Sequence, residues 1–184
     1  MNDLKIKVIH NGLSQQYVDF INKELDPAKV PWTYIDSVSY TTEKTKLQMG
    51  LTNLVYSDDK ILSNSYWYLY PILLETANKA GFFIEKLMRI RIGGYLSINT
   101  PNHKHVVHVD DDYPHIVALY YPHDTDGDTI FYDSKEGKNE IYRVSPRRGS
   151  IVFFDGSIYH SSSSPIEHNI RITLSFNFRG KWPE

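Results

Sequence analysis

Two histidines and one aspartate in this sequence have the types and the order of a metal-binding set. His108 and Asp110 flank Val109, and His160 follows fifty residues after Asp110. Two imidazoles and one carboxylate can occupy one face of an iron(II) ion and leave its other positions open for a cosubstrate and oxygen. Arg171, eleven residues beyond His160, offers a guanidinium that can bind a carboxylate through paired hydrogen bonds. Together these residues suggest oxygenase chemistry.

The triplet itself has little weight. With 8 His and 22 acidic residues among 184, roughly one His-x-acid triplet is expected by chance, and the sequence contains one. A single His near a strand end is more often an ordinary polar residue than a ligand, and an isolated Arg171 is more often a salt-bridge partner. The metal hypothesis therefore depends on the order of the set and on the elements that position it.

Composition limits the classes of protein to consider. The 184 residues, 41% of them hydrophobic, suit a single globular domain over 1–184. A net charge of −2 gives no general attraction to nucleic acid, which is therefore not an expected partner. The absence of cysteine excludes disulfides and thiolate metal sites, so any metal must use His and carboxylate. No apolar run resembles a membrane span or a signal peptide, which predicts a cytoplasmic protein that does not bind membranes.

The predicted elements divide the chain into a helical N-terminal support, 1–82, and a β-rich core, 83–184, that carries the site. In the support, Ser14 can cap a helix whose apolar residues return at helical spacing. A second helix is predicted over Trp67–Lys79. Pro71 is expected in or near its first turn, because a proline further inside would kink the helix.

Short runs rich in Ile, Val, Tyr and Phe alternate with turn residues and predict strands. The predicted strands are Leu4–Ile9, Phe83–Asn99 (with a break at Gly93-Gly94 left open), His105–Asp110, Ile116–Tyr121, Thr129–Tyr132, Glu140–Val144, Ser150–Phe154 and Ile170–Phe178. Strands in this number, with helices at one end, favour a mostly β fold, an antiparallel jelly roll or double-stranded β-helix flanked by helices. Such a cupin-like barrel leaves an open mouth for a ligand.

Strand geometry agrees with a shared metal ion. Side chains alternate between the two faces of a strand, so His108 and Asp110 should point to the same side. In the last predicted strand, polar Arg171, Thr173 and Ser175 alternate with apolar residues, which suits a barrel with a wet interior. Five other histidines have no comparable setting and are expected in loops or at the surface: His103, His105, His115, His123 and His168.

Five stretches between Arg89 and Phe178 contain motifs in a recognisable order. They are 108–110, 119–123, 127–131, 153–160 and 171–178. In these stretches the chain resembles the iron(II)- and 2-oxoglutarate-dependent dioxygenases, specifically the prolyl-4-hydroxylase-like branch and its small bacterial and phage members. It departs from the family at a turn, where Pro122-His123 replaces a common Leu-Asn and Asp126-Gly127 replaces a frequent pair of glycines.

The resemblance implies an iron(II) centre. By position, His108, Asp110 and His160 are the implied ligands and catalytic residues. Iron held on one face by three ligands keeps open positions for 2-oxoglutarate and O2. The implied reaction hydroxylates an unactivated C–H bond and needs no protein nucleophile, which fits a sequence without a convincing catalytic triad.

The resemblance also implies residues for the cosubstrate. Arg171 is expected to pair with the distal carboxylate of 2-oxoglutarate, assisted by the hydroxyls of Tyr121 and Thr129. Tyr95 and Asn99 are weaker candidates for its metal-proximal end. An ordinary core tyrosine and an ordinary strand threonine remain the alternatives for Tyr121 and Thr129.

By resemblance, the first expected substrate is a peptidyl prolyl or other protein side chain. Trp32, Tyr34, Trp67 and Tyr68 either line the approach or pack between helix and barrel. An oxygenase acting on a small molecule or a nucleobase stays open as an alternative. A non-catalytic, cupin-like protein that binds a metal or small ligand is a second class. Arg171 disfavours that class, because metal retention alone does not need a carboxylate clamp.

Overall fold

The computed structural model describes residues 4–38, 48–98, 100 and 103–183, and strands predominate in them. In chain order the elements are β1 (Ile6–Ile9), α1 (Gln15–Glu24), β2 (Thr33–Ile35), β3 (Gly50–Ser57), β4 (Lys60–Ile61), α2 (Tyr66–Ala80), β5 (Phe83–Leu96), β6 (Ile116–Tyr121), β7 (Thr129–Tyr132), β8 (Glu140–Val144), β9 (Ser150–Asp155), β10 (Tyr159–Ser162) and β11 (Ile170–Lys181). In these ranges, neither helix is long and apolar enough to cross a membrane.

The strands form two sheets. The larger one has the order β1-β9-β6-β11-β5-β3-β2, with β4 beside β3, and the smaller one has the order β10-β7-β8. Neighbouring strands are antiparallel in both sheets. The mostly β, double-stranded β-helix flanked by helices, predicted from the sequence, is confirmed.

Besides the predicted first strand, the N-terminal support contains three strands that were not predicted. It supplies β2, β3 and β4 to the large sheet, where β3 pairs with the middle of β5. The strand β3 was not predicted from the sequence, because its side chains show no regular alternation of buried and exposed positions. Its main partner β5 also lies beyond α2, so no hairpin pattern links the two.

Both predicted helices are present, and their ends follow local chemistry. The Ser14 hydroxyl accepts a hydrogen bond from the backbone N–H of Tyr17 at 3.3 Å and caps α1. The second helix ends at Gly81, whose φ of 82° is left-handed. Pro71 is the sixth residue of α2 and lies in its second turn, near the first turn as expected.

The large sheet separates two apolar layers. On one side, Ile90 and Ile92 of β5 and Ile172 and Leu174 of β11 pack with buried residues of both helices in the main core. On the other side, β6 and β9 pack against the small sheet in a second cluster: Val117, Tyr121, Phe131, Val144, Val152 and Phe154. The polar residues that alternate with the first layer therefore face the space between the sheets.

The segment before the metal triplet is not a strand, in contrast to the prediction for His105–Asp110. It makes two isolated antiparallel bridges, from Lys104 to Ser163 and from His108 to His160. The second bridge joins this segment to β10, an element that was not predicted. The alternation of side chains along a strand therefore does not position His108. Its backbone pairing with His160 positions it instead.

Candidate functional site

Three side chains predicted to bind a metal come together between the sheets. Oδ1 of Asp110 lies 3.7 Å from Nε2 of His108 and 3.8 Å from Nε2 of His160. One ligand atom from each residue lies within 4.8 Å of the other two. Reciprocal backbone hydrogen bonds of 2.9 Å hold His108 and His160 side by side. The donor set and its spacing fit three ligands on one face of a single ion.

Backbone carbonyls set the orientation of both imidazoles. Nδ1 of His108 donates to the carbonyl oxygen of Val106 at 2.9 Å, and Nδ1 of His160 donates to that of Ile158 at 3.0 Å. Each Nε2 then faces Asp110, where it can bind a metal ion when the ring is neutral. Burial and the neighbouring His160 lower the pKa of His108 to about 4, so its ring is neutral at physiological pH.

The outer oxygen of Asp110 is held by side chains. Oδ2 accepts a 2.9 Å hydrogen bond from Nδ2 of Asn177 and lies 3.4 Å from a terminal nitrogen of Arg89. Burial acts to raise the pKa of Asp110, but the neighbouring His160 and the guanidinium of Arg89 outweigh it and hold that pKa below its usual range. These contacts turn Oδ1 toward the two histidines.

Sequence reasoning missed Asn177 and Arg89. Asn177 continues the polar row of β11 that begins at Arg171, and Arg89 precedes Ile90 in a similar alternation on β5. The two residues are register partners on neighbouring strands. The alternation of polar and apolar residues could have placed Asn177 and Arg89 on the inner face of the sheet. Their contact with Asp110 could not be predicted, because it depends on how three separate segments meet.

The candidate carboxylate-binding residues form a buried group. Arg171 is fully buried, and its Nη2 donates to Oγ1 of Thr129 at 2.7 Å. The Tyr121 hydroxyl donates to the same oxygen at 2.8 Å. Thr129 thus accepts twice, and its own hydroxyl hydrogen is left for a ligand. Nε and Nη1 of Arg171 have no hydrogen-bond partner among the described residues.

Two tyrosine rings enclose the guanidinium. Its Cζ atom lies 5.0 Å from the ring centre of Tyr95 and 5.8 Å from that of Tyr121. Burial raises the pKa of Tyr121 to about 12, so its hydroxyl stays protonated and can donate. Tyr95, expected near the metal-proximal end of the cosubstrate, thus packs beside Arg171. Asn99, the other residue predicted for that end, lies outside the described residues.

A narrow inner pocket joins the metal cluster to Arg171. Its lining includes His108, Asp110, His160, Thr129 and Arg171. Its volume of about 40 Å³ is enough for a few water molecules. The pocket thus connects the metal cluster to the buried guanidinium.

Gly127 closes the turn behind Arg171. Its φ of 95° is left-handed, and a Cβ at this position would lie 2.8 Å from the carbonyl oxygen of Ser163 and 3.1 Å from Cδ of Arg171. Glycine is therefore required here on two grounds. Asp126 stands where the resembling family often has the first of two glycines. Its carboxylate accepts a 3.0 Å hydrogen bond from the backbone N–H of Glu167.

Two histidines assigned to loops or the surface are buried instead. His105 is hydrogen-bonded to the hydroxyls of Ser162 and Ser164 and stacks on Tyr95 at 5.3 Å between ring centres. Burial lowers its pKa to about 3, so it packs as a neutral ring behind the pocket. His115 covers Gly156, where a Cβ would lie 2.3 Å from its ring. Both were misjudged because sequence position does not reveal which loops fold inward.

A wider outer groove of about 350 Å³ opens beside the metal cluster. It is lined by Ile35, Ser37, Val38, Thr52, Leu54, Ser57, Arg89, Arg91, His108 and Asp110. The aromatics considered for the approach are not in this lining. Trp67 and Tyr68 belong to α2, on the other side of the large sheet, and Trp67 is 68% exposed.

Comparison with known proteins adds information on the fold. No protein-family model matches the sequence, and no curated protein does either. A prolyl hydroxylase from Trichoplax adhaerens, in complex with a hypoxia inducible factor peptide fragment, matches with a TM-score of 0.65 and 12% identity over 96% of this chain and 84% of that one. A Pseudomonas putida prolyl-4-hydroxylase matches with a TM-score of 0.61 and 17% identity over 97% and 94%. SnoN, an α-ketoglutarate-dependent epimerase from nogalamycin biosynthesis, matches with a TM-score of 0.63 and 14% identity over 98% and 80%.

These matches share one architecture. The chain has the fold of the 2-oxoglutarate- and iron(II)-dependent oxygenases. The resemblance seen in the sequence is thus confirmed in the fold. At such low identity the likeness does not extend to the substrate, and the matched enzymes themselves include a prolyl hydroxylase and an epimerase.

Proposed function

We propose that this protein is an Fe(II)- and 2-oxoglutarate-dependent oxygenase that hydroxylates an unactivated C–H bond. Arg171 carries the proposal. Its guanidinium is fully buried, two of its nitrogens have no partner in the described part of the chain, and it shares a pocket with the His-Asp-His cluster. A carboxylate bound along one edge of the guanidinium would pair with one of these nitrogens and with Nη2. A cupin-like protein that only retains a metal has no need of this group.

The donor set fits iron(II). His108 and His160 offer Nε2 atoms, and Asp110 offers Oδ1, while their remaining polar atoms are already hydrogen-bonded. Two imidazoles and one carboxylate without thiolates suit iron(II) with open positions. When iron(II), 2-oxoglutarate and O2 are bound, they supply the oxidising power: one oxygen atom enters the substrate C–H bond, and the other enters succinate as carbon dioxide is lost.

The residues of the inner pocket would bind and orient 2-oxoglutarate. One edge of the Arg171 guanidinium, formed by Nη2 with either Nε or Nη1, would donate to the distal carboxylate, and the hydroxyl of Thr129 adds a further donor. Tyr121 keeps Thr129 in place through its 2.8 Å hydrogen bond. The cosubstrate would point its keto acid end toward the metal cluster.

Apolar side chains complete the pocket. Val117 and Leu119 of β6 and Phe154 of β9, all on the large sheet, form its apolar wall. They leave water no hydrogen-bonding partners on that wall, which favours exclusion of water from the reacting atoms. The protein would therefore act by ligation, orientation and shielding, without a nucleophile or a general base of its own.

The first candidate substrate is a peptidyl prolyl or other protein side chain. It is supported by the similarity in fold to the Trichoplax enzyme, whose structure contains a peptide. A small molecule is the second candidate, because SnoN shares the fold to a similar degree. The outer groove is open enough to admit either kind of molecule to the metal cluster.

Anaerobic titration tests the proposal. Fe(II) and 2-oxoglutarate are added to the protein without oxygen, and a visible charge-transfer band is expected. Oxygen is then admitted, and succinate formation is measured. Iron binding without 2-oxoglutarate binding would instead support the non-catalytic jelly roll. If succinate forms, proline-containing peptides and small molecules are screened by mass spectrometry for a gained oxygen atom.

A further inference from the structure

Arg91 stands between the inner pocket and the outer groove. On β5 it is the register partner of Ser175 on one side and of Leu54 on the other. Ser175 lines the inner pocket, Leu54 lines the outer groove, and Arg91 lines both. A molecule in the groove that reaches His108 and Asp110 therefore lies beside this side chain.

The Arg91 guanidinium has no partner among the residues that the structure describes. Arg89, its neighbour in the same row, contacts the carboxylates of Asp110 and Asp111 at 3.4 and 3.8 Å. Arg91 has no hydrogen bond or ion pair with the described residues. It acts on Asp110 only through its charge. The two arginines therefore differ: one is already paired with carboxylates, and the other faces an open cavity.

Two arginines line the groove in a protein with a net charge of −2, and only Arg89 is paired with carboxylates among the described residues. Its charged lining consists of Arg89, Arg91 and Asp110, besides His108. Asp110 is the candidate metal ligand, so its charge is directed at the metal. The other lining residues are neutral, and Ile35, Val38 and Leu54 among them are apolar. A groove of this kind attracts an anion that has an aliphatic body.

We propose that Arg91 binds a carboxylate of the substrate. The substrate would be an aliphatic carboxylic acid, free or at the end of a peptide, whose oxidised C–H bond lies near the carboxylate. This inference rests on the proposed oxygenase function and names a substrate class for the same site. The guanidinium fork matches a carboxylate, and the apolar residues of the groove would contact the aliphatic part.

Ligand-observed NMR with Mn(II)-loaded protein and saturating 2-oxoglutarate tests the inference, because paramagnetic Mn(II) broadens the signals of molecules bound beside it. The probes are N-acetylated proline, leucine, valine and glutamine, and Gly-Pro and Gly-Leu as peptides with free ends. Each is paired with its carboxamide. The acids are expected to broaden at concentrations about tenfold lower than their carboxamides, as one charge-assisted contact predicts. Broadening of the dipeptide acids alone would assign the site to peptide ends.

Variants test the role of Arg91. Arg91→Gln is expected to reduce the affinity for the acids about tenfold, to that of the carboxamides, and Arg91→Lys to reduce it less. Arg147→Gln, a change at an exposed arginine outside the groove, is the matched control and should have no effect. The affinity for 2-oxoglutarate should stay within about twofold in all three variants.

Three results would overturn the inference. Acids that broaden no more than their carboxamides would exclude a carboxylate site in the groove. A parallel loss of 2-oxoglutarate affinity in Arg91→Gln would assign Arg91 to the cosubstrate instead. If 2-oxoglutarate itself is not bound by the metal-loaded wild type, the oxygenase proposal fails and this inference fails with it, and that result is distinct from the other two.

Discussion

The two ends of the inner pocket differ in how their polar groups are satisfied. At the metal end, each Nδ1 donates to a backbone carbonyl and the outer oxygen of Asp110 is held by Asn177. At the other end, Arg171 is fully buried, yet two of its nitrogens have no partner in the described chain. The metal end is thus organised before any ligand arrives, whereas the guanidinium end is completed by its ligand.

This difference has an energetic meaning. A buried polar group without a partner costs about 1–3 kcal/mol, and a charged one costs more. The aromatic rings of Tyr95 and Tyr121 offset only part of this for Arg171, because they accept no fixed hydrogen bonds from Nε and Nη1. Arg171 is therefore expected to weaken the folded state without ligand and to strengthen binding when a carboxylate enters.

The largest effect is expected from Arg171→Met, which keeps a long side chain but removes the charge. Affinity for 2-oxoglutarate in the Mn(II)-loaded protein should fall at least about 100-fold, because two charge-assisted hydrogen bonds are lost. The melting temperature of the ligand-free protein should stay the same or rise, because an incompletely paired buried cation is removed. Calorimetry and thermal unfolding measure the two quantities.

Arg179→Met is the matched control for this change. Arg179 lies on the same strand but is exposed, so its replacement should leave 2-oxoglutarate affinity unchanged. A fall in melting temperature of Arg171→Met by several degrees would contradict the comparison, because Arg171 would then stabilise the fold even without a ligand.

Asn177→Leu is expected to have the next largest effect, at the metal end. Oδ2 of Asp110 would lose its 2.9 Å donor, and Mn(II) affinity should fall about tenfold or more. Stability should change little, because Oδ1 of Asn177 is itself buried without a partner in the described structure. Ser175→Ala, in the same row of β11, is the control. Unchanged Mn(II) affinity in Asn177→Leu would mean that Arg89 alone orients Asp110.

The smallest effect is expected from Val106→Ala. The carbonyl oxygen that accepts from Nδ1 of His108 belongs to the main chain and remains after the change. Mn(II) affinity should therefore stay within about twofold of wild type. A loss greater than tenfold in the same titration would show that the Val106 side chain, and not its carbonyl, holds the imidazole.

Much of the fold and the site could be predicted because their signals are local. The alternation of Arg171, Thr173 and Ser175 with apolar residues predicted the inner face of β11, and the structure has that alternation. The cap at Ser14 depends on a contact three residues away. His108, Asp110 and His160 also meet as their order suggested.

The rest depends on contacts between distant segments. His108 is positioned by a bridge to His160 and not by a strand of its own. The pairing of β3 with β5 and the contact of Asn177 with Asp110 arise only once the sheet register exists. His105 was misjudged for the same reason, because its burial depends on Tyr95 and the serines of another strand.

The hydrogen bonds from the two imidazoles to backbone carbonyls affect how the centre tolerates substitutions during evolution. Each imidazole is oriented by a carbonyl two residues earlier, at Val106 and Ile158, and no point mutation at those positions deletes a carbonyl. Asp110 depends on side chains, which substitution can remove in a single step. The orientation of the two imidazoles can therefore survive many substitutions around them. The orientation of the Asp110 carboxylate, in contrast, depends on the side chains of Asn177 and Arg89.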